Sequence, residues 1–307
     1  MNKFLYLQDP HLKGKNSINR QGNYFADMLV KYDEIIEICQ QRNIDTILDG
    51  GDTVDTPIVS YSVIDQFVDK IEKAELQYYF LFGNHAERYH SKEHSSDTSM
   101  AHILRRSKNF KYLEKIEGKD FVICGLEYSH TVEEDLKNGW EFIPDFYKDY
   151  WKILIAHAFI SPKLFPYASH IVCDDIKTNA DLVLVAHYHS QWEKKVGNTQ
   201  YLDIGCLGRN SVTEANIEPS VIILDTDKRS YEVIKLKSAK AGHEVFDLEK
   251  IELLKEKEAN LDIFIQSLES VTFQGQTIQN IIENVAQEKK IDREVVNLIL
   301  QKIEEKK

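Results

Sequence analysis

The chain has 307 residues, 42% of them hydrophobic, and a formal net charge of −12, enough apolar material for one large domain or one domain with an appendage. The acidic balance excludes a general polyanion-binding surface, because phosphate backbones are held by Lys and Arg; a carboxylate-rich metal site, however, counts as negative until its cations are bound. The opening apolar run 4–7 is too short for a secretory leader and is interrupted by Asp9, and no later run reaches membrane-spanning length, so a cytoplasmic, membrane-free protein is expected. Cys39, Cys124, Cys173 and Cys206 are widely scattered, which predicts buried reduced thiols rather than a disulfide framework.

In chain order, short apolar runs at 4–7, 46–48, 78–82, 153–156 and 182–186 suit buried strands. Residues 24–41 carry Phe25, Met28, Leu29, Tyr32, Ile35, Ile36 and Cys39 at a helical period, and 61–75 repeat it through Val63, Ile64, Phe67, Val68 and Ile71. Strand and helix alternate, which favours an α/β core. Further strands are predicted at 121–125, 201–204, 221–225 and 231–236, the last two joined as a hairpin through Thr226-Asp227-Lys228-Arg229. Beyond about Lys237 the pattern is helical only, over 248–268, 277–288 and 292–304, with Asp292 placed to cap the last helix. A core over 1–237 and a helical module over 238–307 follow.

Five of the apolar runs end in groups that favour metals: Asp9-Pro-His11, Gly51-Asp52, Gly83-Asn84-His85, Ala156-His157 and His187-Tyr-His189. Singly, each reads as a turn, a satisfied core histidine or an edge-strand pair. Residues just past the carboxyl ends of strands in an open α/β sheet line its ligand crevice, so the five can converge. Asp9, His11 and His189 then suit one cation; Asn84, His157 and His187 suit a second, with Asp52 as the shared carboxylate. Mixed oxygen and nitrogen ligands suit manganese, iron or zinc better than calcium or magnesium. A two-cation box of this kind activates a shared hydroxide for in-line attack on phosphorus. His85, at its rim, has the pKa class to protonate a leaving alkoxide.

Asp9-x-His11, Gly51-Asp52-x-x-Asp55, Gly83-Asn84-His85, the single His157 and His187-x-His189, in this order, resemble the calcineurin-like metallophosphoesterase superfamily. More narrowly, Asp9-Pro-His11-Leu12, the segment Asp52 to Pro57 and the segment Gly205 to Arg209 are similar to the SbcD-like DNA repair nucleases. That resemblance implies a four-layer α/β/β/α sandwich with a C-terminal helical appendage, the ligand sets given above, and His85 as the catalytic residue. Asp55, a histidine in some relatives, would orient a ligand from behind. Two divalent ions are implied, manganese first, with Mg2+, Fe2+ or Zn2+ as alternatives. The implied substrate is DNA, cut by exo- or endonuclease action in repair or recombination. The implied partner is an SMC-like coiled-coil ATPase, docked by the C-terminal helices through Val295, Val296, Leu298, Ile299 and Ile303; a homodimer is also open. Arg88 and Arg209 are candidate DNA contacts. Two departures stand out: Ala86 separates the Asn-His pair from the acid Glu87, and Ala186 replaces a common glycine. The rival readings are a phosphatase or cyclic-nucleotide phosphodiesterase on the same core, and a non-enzymatic scaffold that keeps the fold. The stretch 87–99 is expected to form a loop over the mouth.

Overall fold

The computed structural model describes residues 3–87, 97–139, 143–165, 170–249 and scattered positions beyond. Two compact units result, Met1–Phe246 and Asp247–Lys307. In the first, one sheet has the order β14-β13-β1-β2-β3-β4 and the other β11-β12-β10-β7-β6-β5. The first sheet comprises β1 (Lys3–Leu7), β2 (Thr46–Asp49), β3 (Gln77–Phe80), β4 (Phe110–Tyr112), β13 (Ser220–Asp225) and β14 (Ser230–Lys235). The second comprises β5 (Lys115–Glu117), β6 (Phe121–Leu126), β7 (Trp151–His157), β10 (Leu182–Ala186), β11 (Gln191–Val196) and β12 (Thr199–Ile204). Strands β8 (Ile160–Ser161) and β9 (Ile171–Val172) form a small parallel pair.

Period-two alternation splits each central strand between two cores. In β1, Leu5 and Leu7 face the helices while Phe4 and Tyr6 face the second sheet; in β13, Val221 and Ile223 oppose Ile222 and Leu224 in the same way. In β7, Ile153 and Ile155 face the first sheet, whereas Leu154 and Ala156 face outward onto a third core. The outer helices of the first sheet are α1 (Tyr24–Arg42), α2 (Tyr61–Lys73) and α3 (Ser99–Arg106). Helix α1 starts where the Asn23 side chain accepts from Ala26 N at 3.0 Å and stops where Asn43 takes a left-handed φ of 54°. The fourth layer is thin: among the described residues its one helix is α4 (Val132–Asn138), which packs Val132 and Leu136 on the second sheet. The layers are thus α/β/β/α, as the resemblance implies.

Strands β1, β2 and β3 run parallel, as do β6, β7, β10 and β12, so each sheet presents the carboxyl ends of its central strands at one edge. The hairpin β13–β14 forms as expected. The edge strands β4, β5 and β11 were not predicted, and neither were α3 and α4. All four cysteines are free and buried. Ser238 to Phe246 fold with the first unit: Lys240 Nζ donates to Asp27 at 2.6 Å, and Phe246 bridges to Arg20. The expected tail helices lie largely outside the described residues; of their apolar stripe, Val296 is buried and Val295 partly so, while Leu298, Ile299 and Ile303 lie outside. No helix among the described residues is long and apolar enough to cross a membrane.

Phe67 of α2 is fully buried, with its ring 5.1 Å from Tyr32, 5.4 Å from Tyr78 and 5.4 Å from Phe110. Phe67→Ala should lower unfolding stability by about 3–5 kcal/mol, because the rigid neighbours leave a cavity. Urea unfolding checks this; a loss below about 1 kcal/mol would contradict a packed helix-to-sheet core.

Candidate metal centre

The centre is assembled by zipping three loops together at the strand ends. Gly50 N donates to Leu7 O at 2.9 Å, Asp9 N to Gly51 O at 3.2 Å, His11 N to Asp52 O at 2.9 Å and Leu12 N to Thr53 O at 2.8 Å, which fixes the loop after β1 against the loop after β2. On its other side, Leu207 N and Gly208 N donate to Gln8 O and Asp9 O at 3.0 and 3.1 Å. The register has a conformational cost. Asp9, His11 and Asp52 adopt φ near 49° and His187 a φ of 95°, four of the eight non-glycine positive-φ residues among those described. Such backbone persists only where the surroundings over-determine it. Two glycines are required by close approach: a Cβ on Gly51 would lie 2.3 Å from His157 Nδ1, and one on Gly83 would lie 2.1 Å from Asp52 Oδ1.

The structure brings together the expected carboxylates and imidazoles. Asp9, His11 and His189 offer donor atoms within 4.8 Å of one another, and so do Asp52, His157 and His187; His11, Asp52 and His85 form a third group. Asp52 Oδ2 lies 3.4 Å from His157 Nε2 and 3.9 Å from His11 Nε2, the central position expected of a shared carboxylate. The turn carrying Asn84 and His85 is closed by Ala86 N on Gly83 O at 3.2 Å and seated on Asp52, whose Oδ1 accepts from His85 N at 3.0 Å. His85 is exposed. Its Nδ1 is 2.8 Å from Asp55 O; since a carbonyl only accepts, Nδ1 carries the proton and Nε2 is the atom left to exchange one.

His11 Nε2 and His189 Nε2 face each other at 3.0 Å. Behind them, His189 Nδ1 is 2.6 Å from Glu214 Oε1 and His11 Nδ1 is 3.4 Å from Asp55 Oδ1. His189 Nδ1 is hydrogen-bonded to its carboxylate, whereas buried His11 Nδ1 stands near Asp55 without a hydrogen bond, and the two Nε2 atoms meet at one point that a cation or a proton can fill. His157 repeats the device with an uncharged acceptor, as its Nδ1 donates to Gly50 O at 2.9 Å. Asp9 Oδ1 and His157 Nε2 are buried and make no hydrogen bond. Buried polar atoms left in this way are costly unless something outside the chain completes them. The donor set therefore fits hard or borderline divalent cations.

In the metal-free chain, protons stand in for the cations. Burial pushes the His157 imidazole down, but Asp52 and then Asp9 outweigh it and raise its pKa to about 9. For His189, burial is likewise outweighed by hydrogen bonding to Cys206 and Glu214, and the pKa rises to about 12. Burial raises the Asp52 carboxyl, yet His157, His11 and His85 together hold it far below the usual carboxylate range. His187 is lowered to about 3 by burial and the neighbouring His157.

Supporting residues that the sequence reading missed lie behind these ligands. Buried Asp49 accepts from Thr53 Oγ1 at 2.6 Å, Tyr78 OH at 2.7 Å and Gly51 N at 3.0 Å, shaping the loop that carries Asp52. Buried Asp203 accepts from Gln8 Nε2 at 2.8 Å, Gly205 N at 2.9 Å and Ser190 Oγ at 3.1 Å, tying the His189 loop to the Asp9 loop. Glu214 is the third. Its Ser211-Val-Thr-Glu214 capping box is legible as a helix-start signal, but nothing in that pattern points to His189.

Arg209 is 2% exposed, and its guanidinium donates to the carbonyls of Ala215, Ile217 and Lys240. Its role is to brace the turn after β12, and the expected contact with a nucleic-acid backbone gives way to that. Arg88 lies outside the described residues, as do residues 88–96 of the expected loop. Arg106 pairs with Asp65 and Asp69 of α2. In the aromatic-rich stretch 143–151, Tyr147 and Trp151 are buried and Phe146 is exposed.

Residues 4–191 match the profile of the calcineurin-like phosphoesterases. The DNA double-strand break repair protein Mre11 of Thermoplasma acidophilum is 24% identical over 204 residues, 63% of this chain and 53% of that protein. Mre11 of Methanosarcina mazei is 22% identical over 243 residues, 76% of this chain and 36% of its own length. The chain thus spans about half of the one relative and about a third of the other. The solved structure of TT1561 from Thermus thermophilus aligns with a TM-score of 0.47 at 14% identity, covering 76% of this chain and 99% of that one.

Since His157 and His189 hold protons at pH 7 that ligation must displace, divalent-metal binding should release protons, and its apparent affinity should rise from pH 7 through about 9, by up to tenfold per unit for each proton displaced. Calorimetric titration with Mn2+ in buffers of different ionisation enthalpy checks it; a binding heat independent of the buffer would contradict the assignment.

Proposed function

Because the chain belongs to the calcineurin-like phosphoesterase family, we propose that it is a two-cation phosphodiesterase acting on DNA, a nuclease of repair or recombination. The observation that carries the reading is the pair of donor clusters Asp9-His11-His189 and Asp52-His157-His187, linked by His11 standing 3.9 Å from Asp52, with exposed His85 at the rim. In this reading the first divalent ion is held by Asp9, His11, Asp52 and His189, the second by Asp52, Asn84, His157 and His187. When bound, the ions, manganese first, supply Lewis acidity to the phosphoryl oxygens and lower the pKa of an attacking water.

The chain's own residues supply the remainder. His85, with Nδ1 anchored on Asp55 O, offers Nε2 to the leaving oxygen and delivers the proton that the departing alkoxide needs. His11 stands against it edge-to-face, with the ring centroids 4.7 Å apart, which limits its rotation. Asp55 holds His11 and is itself held by Lys13 Nζ at 3.2 Å.

DNA as substrate is favoured by the names of the two relatives and by the surroundings of the second cation position. Tyr128 lies 5.5 Å from His187, and Phe159 lies 6.3 Å from it and stacks on Tyr188 at 4.3 Å. These rings are partly exposed, and aromatic faces of this kind accept nucleobases at about 1–3 kcal/mol per stacked base. The helical module after Phe246 is proposed as the dock for an SMC-like coiled-coil ATPase, so a truncation that tests it belongs after Phe246.

With Mn2+, the purified chain should degrade linear duplex or single-stranded DNA, chelation should abolish the activity, and His85→Ala should reduce the rate by about 10²–10⁴ without loss of metal binding. Hydrolysis of p-nitrophenyl phosphoesters with no cleavage of DNA would instead establish a small-substrate phosphatase or phosphodiesterase. No metal-dependent turnover on any substrate would leave a scaffold.

A further inference from the structure

Glu214 and Asn210 lie in one short turn, yet Glu214 meets the His189 imidazole from behind and Asn210 meets the Asp55 carboxylate that stands behind His11. Glu214, 8% exposed, uses Oε2 to accept from Ser211 N at 2.8 Å and from Asn210 N, while Oε1 takes His189 Nδ1 at 2.6 Å. The Asn210 side chain donates to Asp55 Oδ1 at 3.0 Å, the oxygen that stands 3.4 Å from His11 Nδ1. The two carboxylates behind the pair are therefore joined through a single residue. A turn that served only its own backbone would need Glu214 Oε2 alone, and would have no use for Oε1 or for the Asn210 amide.

On the reading of the site as a two-cation centre, we infer that the Asn210–Glu214 turn is the positioning device of the first cation: through Glu214 on His189 and Asn210 on Asp55 it holds both Nε2 lone pairs on one point and sets that cation's affinity. At the second position His157 leans instead on the neutral carbonyl of Gly50. A carboxylate behind an imidazole fixes its tautomer and raises its basicity, and losing such a partner weakens metal binding by about 10–100-fold. The two cations should accordingly load with unequal affinity, and damage to the turn should act on one of them.

Calorimetric titration of the full, metal-free chain with Mn2+ tests this, alongside thermal unfolding of the metal-free variants. Wild type should show two binding events. Glu214→Ala should weaken one of them about 10–100-fold and leave the other unchanged; Glu214→Gln, which keeps an oxygen for His189 Nδ1, should recover part of the loss and carries the test if the alanine variant does not fold. In a His189→Ala background the Glu214→Ala effect should vanish, because Glu214 acts through that ring. Unchanged Mn2+ affinities in Glu214→Ala, with or without a lowered melting temperature, would overturn the inference and leave the turn a backbone support. Wild type that binds no Mn2+ would overturn the two-cation reading itself.

Discussion

Two imidazole nitrogens facing each other at 3.0 Å, His11 Nε2 and His189 Nε2, set the electrostatic condition that the surrounding chain answers. Neutral rings that both kept their proton on Nδ1, as Glu214 favours for His189, would meet lone pair to lone pair. The arrangement is favourable only when positive charge lies between them. Without a cation, His189 keeps a proton, its pKa raised by Cys206 and Glu214; in the proposed reading the same atoms would hold the first cation. Asp9, Asp52, Asp55 and Glu214 crowd the same small volume, so an acidic chain gathers its charge where a divalent ion neutralises it.

Holding that geometry costs backbone strain, on the order of 1–3 kcal/mol for each residue in an unfavourable region. Asp9, His11, Asp52 and His187 all bear it. The three stacked cores stabilise the loops that carry this strain, and buried Asp49 and Asp203 bind the loops by hydrogen bonds from backbone and side chains. These two acids are the counterparts of one another across the sandwich. Each lies at the carboxyl end of its strand, Asp49 last in β2 and Asp203 next to last in β12, and each accepts from a glycine amide two residues on.

Tyr6 shows how core and centre are joined. Its ring packs between the sheets, while its hydroxyl donates to Gln8 Oε1 at 3.0 Å, and Gln8 Nε2 reaches Asp203 and Asp9. Packing of the inner core therefore sets the orientation of the Asp9 carboxylate. Rigid support of this kind is what a site needs when a displacement of about 1 Å costs a large share of the rate.

The sequence by itself determined an α/β core and the location of the site, while the layer order was implied by the family resemblance and drawn by the tertiary structure. Strands such as Lys3–Leu7 and Leu182–Ala186 announce themselves by short apolar runs, helices Tyr24–Arg42 and Tyr61–Lys73 by their period, and the metal-favouring groups by their place after strands, because these signals are local. Edge strands such as Gln191–Val196, with four polar residues among its six, lack an apolar run and were decided by pairing. Only the tertiary structure turned Arg209 inward onto backbone carbonyls, placed Glu214 behind His189 and tied Asn210 to Asp55. The last two contacts join residues 25 and 155 positions apart in the chain, and no local pattern of residue types encodes which carboxylate will meet which ring.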